Sequence, residues 1–465
     1  MNKSFLIIIT SFVFAMFACK KDSFITSSEA TIILSSDSLY FDTVFTSAGS
    51  VTQGIKIINN NDQKLKLTTV SLAGGLASPF KINIDGAAVP QMNDIEIEAK
   101  DSIYVFVIAS INPTANNLPF IVEDSILLSY NGNRKYVKLS AWGQNAHFLK
   151  NKIIDANTTW TNDLPYVILG GLQVKQNATL SITKGCRIYA HADAPILIDG
   201  TLKVTGEKYD SMRVVFAGDR LDDPYRDYPG SWPGIYFRQT SANNTLQYAA
   251  IKNAYQGLIM QQPNNSATPN VSLDQCIIDN ISDAGIIATK SSLTANNCLI
   301  SNCGKNVFVQ YGGDYKFTHC TIASISNSYV PHLSADVWLS DAYSPSGSTQ
   351  TGALTASFVN CIIWSEGGSM TDEVIVTKQG SNPFAVNFTS CLWKVTTTPA
   401  NVTATNVFNQ PPAFDSINAS KHFYNFRLKD ISPAINKGVP TTLAYDLDGN
   451  PRSINAPDLG SYERQ

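Results

Sequence analysis

Apolar residues in this chain recur in short phrases that return at a nearly fixed interval. The phrases are LQYAAIKN at 246–253, SLDQCIIDN at 272–280, TANNCLISN at 294–302, KFTHCTIAS at 316–324, SFVNCIIWS at 357–365 and NFTSCLWKV at 387–395. They align on Ala249, Cys276, Cys298, Cys320, Cys361 and Cys391, and Cys276, Cys298 and Cys320 are spaced by 22 residues. Two positions on stand Ile251, Ile278, Ile300, Ile322, Ile363 and Trp393. A strand alternates its faces, so both columns point the same way, and their apolar character points them inward, stacked about 4.8 Å apart. Three positions before the alignment point stand Leu246, Leu273, Ala295, Phe317, Phe358 and Phe388. That column has the wrong parity for the same strand, which predicts a bend where the strand begins. Four positions after it stand Asn253, Asn280, Asn302, Ser324 and Ser365. Asn tolerates left-handed backbone, so this column predicts a sharp corner with amides stacked along the axis. A period in the low twenties carried by short strands is the mark of a solenoid adding one coil per repeat.

A second phrase follows each coil: GLIMQ at 257–261, GIIAT at 285–289, NVFVQ at 306–310, DVWLS at 336–340 and EVIVT at 373–377. With Val307 and Val309 inward, Ile259, Ile287, Phe308, Trp338 and Ile375 form an outward apolar stripe. Such a stripe is either an aromatic platform for sugar rings or a partner, or a face covered by another part of the chain. Pro263–Pro269 and Tyr329–Ser348 lengthen their coils, and insertions in a solenoid become loops on one face.

Ahead of the repeat the pattern changes twice. Residues 31–145 read as short alternating strands (SLYFDTVF, GIKIINN, FKINIDG, DIEIEA, SIYVFVIA, DSILLSY and KYVKLSAWG), about seven in number, which predicts an antiparallel β-sandwich. From Pro165 the strands come closer together between glycines, as in the first coils of a solenoid. The predicted fold class is all-β: the sandwich, then a right-handed parallel β-helix over 146–400 with coils of about 22 residues, then a C-terminal cap or tail over 401–465.

Several stretches resemble known families. The coil phrases, with cysteine, isoleucine and asparagine in register, resemble the pectate-lyase-like superfamily. The sandwich, with an Asn-rich turn and a closing V-x-L-x-A-x-G, resembles Ig-like domains of the abnormal-spindle and Hydin type, which implies a spacer or binding module. RLKDISPAINKGV…YDLDGNPRSINAPDLGSYE at 427–463 resembles a choice-of-anchor type segment found after bacterial β-helices. Lys3, an apolar run from Phe5 to Phe17, and Ala18-Cys19 resemble a bacterial lipobox, followed by Lys20, Lys21 and Asp22 as in Bacteroidota surface lipoproteins. This resemblance implies a signal peptide over 1–18, acylation of Cys19, a linker over 19–30, and attachment to the outer membrane, at the cell surface or facing the periplasm.

Composition narrows the chemistry. Charged residues are 15% of the chain and the net charge is −3, so no electrostatic footprint for nucleic acid exists. No apolar span of about 20 residues follows the N-terminal segment, so no later helix is expected to cross a membrane. The cysteines after Cys19 are odd in number and mostly occupy one repeat position, which predicts buried free thiols rather than a disulfide framework or a zinc site.

The densest polar stretch is GDRLDDPYRDYPGSWPG at 218–234. Asp219, Asp222, Asp223, Tyr225, Arg226, Asp227, Tyr228 and Trp232, together with Trp338, are the candidate ligand-binding residues. Carboxylates beside tyrosines suit a carbohydrate or Ca²⁺, although Arg220 and Arg226 offset half of the acids. Asp446-x-Asp448-Gly449-Asn450 begins like a calcium loop but lacks the distal Glu, so Asp446, Asp448, Arg452, Asp458 and Glu463 are expected to pair and close the last coil. His319 is expected to point outward. No catalytic residue, cofactor or metal is assigned, because carboxylates paired across neighbouring strands, as glycoside hydrolysis requires, are not evident. The sequence thus points to a surface lipoprotein whose β-helix binds polysaccharide or a surface protein. A polysaccharide lyase or glycoside hydrolase with a loop-borne site, and a structural adhesin, are the alternatives.

Overall fold

The computed structural model describes residues 23–45, 49–112, 120–263, 270–345 and 347–465. Cys19, its leader and the 264–269 part of the predicted Pro263–Pro269 loop lie outside them. The chain divides into two units, 1–145 and 146–465, and the described residues of both are strands and turns with a few single 3-10 turns. Among the described residues no helix is long and apolar enough to cross a membrane.

The first unit is a four-stranded and a five-stranded sheet closed over one apolar core. Alternation supplies that core: Ile55 and Ile57, Leu65 and Leu67, Val105 and Val107, and Ile126 and Leu128 are buried while their neighbours face out. The sequence pattern overlooked Ile32–Leu34 and Leu65–Leu72, the second because its Thr-Thr-Val-Ser run blurs the alternation. The antiparallel expectation also needs one correction, since Ser38–Phe45 pairs in parallel with Asn133–Gln144. The Asn-rich turn has a physical role. Buried Asn59 donates its amide to the carbonyls of Gln63, Ile97 and Glu98 at 2.8–3.0 Å, satisfying backbone that the turn leaves unpaired.

The second unit is a stack of parallel strands, 25 joined in one sheet, consistent with a β-helix. Each coil contributes three strands. Ile277–Asp279, Leu299–Ser301 and Thr321–Ala323 stack on what we call the cysteine face, with Ile277, Leu299, Thr321, Ile362 and Leu392 as successive register partners. Gln256–Met260, Val337–Ser340, Val374–Thr377 and the first halves of Ala284–Asn296 and Lys305–Thr318 form the groove face. The second halves of those two long strands stack with Leu354–Val359 and Phe384–Thr389 on the remaining face. The 22-residue interval holds between Ile277, Leu299 and Thr321, and insertions stretch later coils.

The columns fill the interior as their spacing predicts. Phe317, Phe358 and Phe388 stack at 4.7 and 4.6 Å with ring planes within 8° of parallel. The described cysteines are free and buried, and Cys276, Cys320, Cys361 and Cys391 donate Sγ–H to backbone carbonyls of the preceding coil. Asn253, Asn280 and Asn302 have φ of 61°, 58° and 53°, the left-handed corner expected of them. A second left-handed corner stands just before the alignment point, at Tyr248, Gln275, Asn297, His319, Asn360 and Ser390. It produces the bend that places Phe317 and Cys320 on opposite sides of the corner yet in one core.

That second corner anchors the tail. Gln275 donates to the Asp446 carbonyl at 3.1 Å, and Asn297 accepts from Arg452 at 2.9 Å. His319 meets Thr441 at 3.3 Å, and Asn360 exchanges two hydrogen bonds with Val439. The tail therefore lies along the side of the stack. Phe414, Phe426, Leu428, Leu447, Leu459 and Tyr462 pack on Leu299, Ile362, Trp364 and Leu392 of the cysteine face. One expectation is corrected outright and another in part. His319 is fully buried under the tail rather than outward-facing. Arg452 does pair with Glu463, at 3.1 Å, but this pairing holds the tail along the flank of the stack rather than closing its last coil. Asp446 accepts from the backbone N–H groups of Asp448, Asn450 and Glu463, and Glu463 from Arg452, Ser453 and Asp458. These carboxylates therefore take their hydrogen bonds from the tail's own donors.

Candidate functional site

The groove face carries the outward stripe. Tyr236, Ile259, Ile287, Phe308, Trp338 and Ile375 are successive register partners, while Leu258, Ile286, Val307, Val309 and Leu339 point into the core. Phe308 and Trp338 meet edge to face at 5.9 Å. Both are half-buried, as are Ile287 and Ile375. The tail packs on the cysteine face, and the Tyr329–Ser348 insertion supplies a side wall through Tyr343, so neither closes over this stripe.

Two depressions run along it. One, of about 260 Å³, is lined by Phe308, Gln310, Trp338, Ser340, Ala342, Tyr343, Ser344 and Gln379. The other, of about 540 Å³, is lined by Gln239, Gln256, Ile259, Gln261, Gln262, Asp283, Ile287, Thr289, Lys305, Phe308, Gln310 and Tyr343. They share Phe308, Gln310 and Tyr343 and so form one groove. Its charged lining residues are Asp283 and Lys305, which stand 3.8 Å apart, and Gln256 donates to Asp283 at 2.7 Å. Gln310 donates to Thr289 at 3.0 Å. The glutamines went unnoticed in the sequence because they are scattered between strand ends and loops.

Of the candidate ligand residues, Trp338 alone lines this groove. Trp232 is 1% exposed and its indole donates to the Lys252 carbonyl at 2.9 Å, so it fills the core and is not available to a ligand. Asp219 bonds His191 at 2.7 Å, and Asp222 takes both hydrogen bonds of the Arg220 guanidinium. Arg226 holds Asp223 at 2.8 Å and approaches Asp227 at 3.8 Å. Tyr225 lies under Arg220 and against Tyr228, which touches Tyr329, which in turn stacks on His422 at 4.0 Å. The 218–234 segment thus satisfies its own charges and braces two other loops.

A buried polar cluster lies behind the groove. His332 bonds both Glu373 oxygens at 2.9–3.0 Å, Asp336 accepts from Asn306 at 2.9 Å and from Ser365, and Lys394 reaches Glu373 at 3.4 Å. Burial, and then the charge of Glu373, push the Asp336 carboxyl up to about 8. Burial opposes protonation of His332, but its bond to Glu373 and the neighbouring carboxylates prevail and hold it above its ordinary value. The signal was present in the second phrase, whose first residue changes from Gly257 and Gly285 to Asn306, Asp336 and Glu373 along one register column. At Gly285 a Cβ would meet the Asn306 carbonyl at 2.9 Å, and from Asn306 onward the column carries polar side chains that bond one another, Asn306 donating to Asp336 at 2.9 Å. By residue type and spacing, His332, Asp336 and Glu373 are the described group suited to a metal ion. Lys394 and His332 both pair with Glu373, and His332, Asp336 and Glu373 are all buried.

No protein-family profile and no curated protein matches the chain. Among solved structures, a family 123 glycoside hydrolase from Clostridium perfringens overlaps 26% of this chain and 30% of its own, at 11% identity and a TM-score of 0.20. The ASH/PapD-like domain 7 of human CEP192 overlaps 27% of this chain and 92% of its own, at 10% identity and a TM-score of 0.17. The chain therefore spans under a third of the glycoside hydrolase, and neither overlap bears on function.

Proposed function

We propose that this protein is a non-catalytic glycan-binding scaffold. The observation that carries the reading is the groove in which Phe308, Trp338 and Tyr343 stand among amides and hydroxyls. Rings that expose a flat apolar face beside hydrogen-bonding groups suit sugars, which are apolar on their C–H faces and polar at their edges. Asp283 is the one carboxylate lining the groove, and hydrolysis of a glycosidic bond by the usual route needs two. In this reading the stack is a right-handed parallel β-helix, the first unit an Ig-like spacer, and acylated Cys19 the anchor to the outer membrane. The Asn-rich turn at Asn59 and the lipobox-like Ala18-Cys19 support those two assignments.

Affinity gel electrophoresis of the full chain on a panel of polysaccharides tests the function. Retardation by at least one glycan, weakened in Trp338→Ala, is the expected result. Unretarded migration on every glycan would overturn it. Release of unsaturated or reducing ends from any of them would establish the enzyme alternative instead.

A further inference from the structure

The lining of the groove specifies the kind of glycan, an inference that rests on the glycan reading above. We infer that the groove takes an uncharged, extended, β-linked polysaccharide lying along the axis of the stack. Charge is the first argument. Asp283 and Lys305 offset one another at 3.8 Å, and Gln256 further occupies Asp283. The other polar lining groups are amides and hydroxyls, among them Gln261, Gln310, Ser340 and Gln379. An amide offers both a donor and an acceptor, which matches the dual character of a sugar hydroxyl. A polyuronate or sulfated chain would instead need Arg or Lys forks, or bridging cations, in register with its acids. The groove repeats no such group from coil to coil.

Direction is the second argument. Ile259, Ile287, Phe308 and Trp338 are direct register partners on successive coils. They rise by about 4.8 Å per coil, close to the advance per ring of an extended β-linked pyranose chain. A chain parallel to the stack can therefore place one ring near each of these side chains. A chain running across the strands would meet the stripe once. Because the two depressions share Phe308, Gln310 and Tyr343, the path is continuous past these coils.

The test is isothermal titration of the full chain with neutral β-linked polymers, with polyuronates and sulfated glycans, and with a neutral oligosaccharide series of increasing length. Neutral chains should bind with little dependence on salt, because no ion pair forms. Affinity should climb with each added ring up to about four, one per coil of the stripe. Trp338→Ala and Gln310→Ala should each weaken binding about tenfold, with far-UV circular dichroism unchanged. Asp223→Asn, outside the groove, should bind as the native chain does. Preference for polyuronate or sulfated chains with steep salt dependence would overturn this inference while leaving glycan binding intact. Full affinity for a single ring, with no gain from longer chains, would overturn the alignment along the axis. Binding to no glycan would overturn this inference and the function beneath it.

Discussion

Asn280 donates its side-chain amide to that of Asn253 on the preceding coil at 2.9 Å, and both residues hold left-handed backbone. The same amide nitrogen reaches the Asp227 carbonyl at 2.8 Å, so one corner residue ties two coils and the 218–234 loop together.

Asn280→Ala should therefore lose both bonds and strain the corner. A cost of roughly 2–3 kcal/mol is expected, combining left-handed strain with lost hydrogen bonds. Asn280→Gly should recover the backbone part. Urea unfolding of the pair measures the split, and equal costs would mean that the corner tolerates any residue.

Phe358 is sandwiched between Phe317 and Phe388 and is fully buried. Phe358→Ala should destabilise the stack by about 3–5 kcal/mol, because the coils above and below cannot collapse into the gap. Phe358→Leu should cost less. Denaturant midpoints of the two variants check the order.

His319 accepts from Asn360 at 3.0 Å beneath the tail, and burial, aided by the charge of Arg452, lowers its pKa from 6.5 to about 3. The unfolded chain protonates below 6.5 and the folded one does not, so its contribution is intact above 6.5 and is lost as pH falls toward 3. His319→Gln should flatten the acid side of a melting-temperature profile. An unchanged acid limb in that variant would remove His319 as its source.

Asp336 has the opposite sign. Its pKa rises from 3.8 to about 8 on folding, so the folded chain keeps a proton that the unfolded chain releases. Stability from this group is full below about 3.8 and declines as pH rises to 8. Asp336→Asn should flatten the alkaline limb and keep the bond to Asn306. Thermal melts between neutral and mildly alkaline pH decide it.

The described thiols are all buried, and most face the core columns. Ellman's reagent should find them unreactive in the folded protein and fully reactive in denaturant. Prompt reaction of more than the one thiol that Cys19 can supply would contradict the stacked interior.

The sequence disclosed what repeats. Inward columns such as Cys276–Cys298–Cys320 announce themselves because every coil imposes the same packing requirement on them. The stripe from Ile259 to Ile375 was legible for the same reason, and its parity proved correct. Features set by contacts between distant segments were not legible. Ile277, Leu299, Ile362 and Leu392 each lie between the two inward columns, where alternation alone would turn them outward, and nothing local shows that the tail covers Leu299, Ile362 and Leu392. Likewise the change from Gly285 to Asn306, Asp336 and Glu373 becomes meaningful once Asn306 is seen to bond Asp336, and Glu373 to bond His332 from the Tyr329–Ser348 insertion. In the polar 218–234 stretch the offset of acids by Arg220 and Arg226 was legible, but composition cannot show which acid each arginine takes or that Asp219 turns to His191.

The lateral tail alters how such a stack can come apart. Coils that touch their neighbours alone can fray from either end, each loss independent of distant ones. Here Arg213 in an early coil donates to the Leu447 carbonyl, while Leu392 in a late coil lies under the same tail. Fraying at one end therefore loosens a strip that also clamps the other, which couples distant coils into one cooperative unit. During synthesis the strip emerges after all of these coils, so the early ones must wait for it before their flank is sealed.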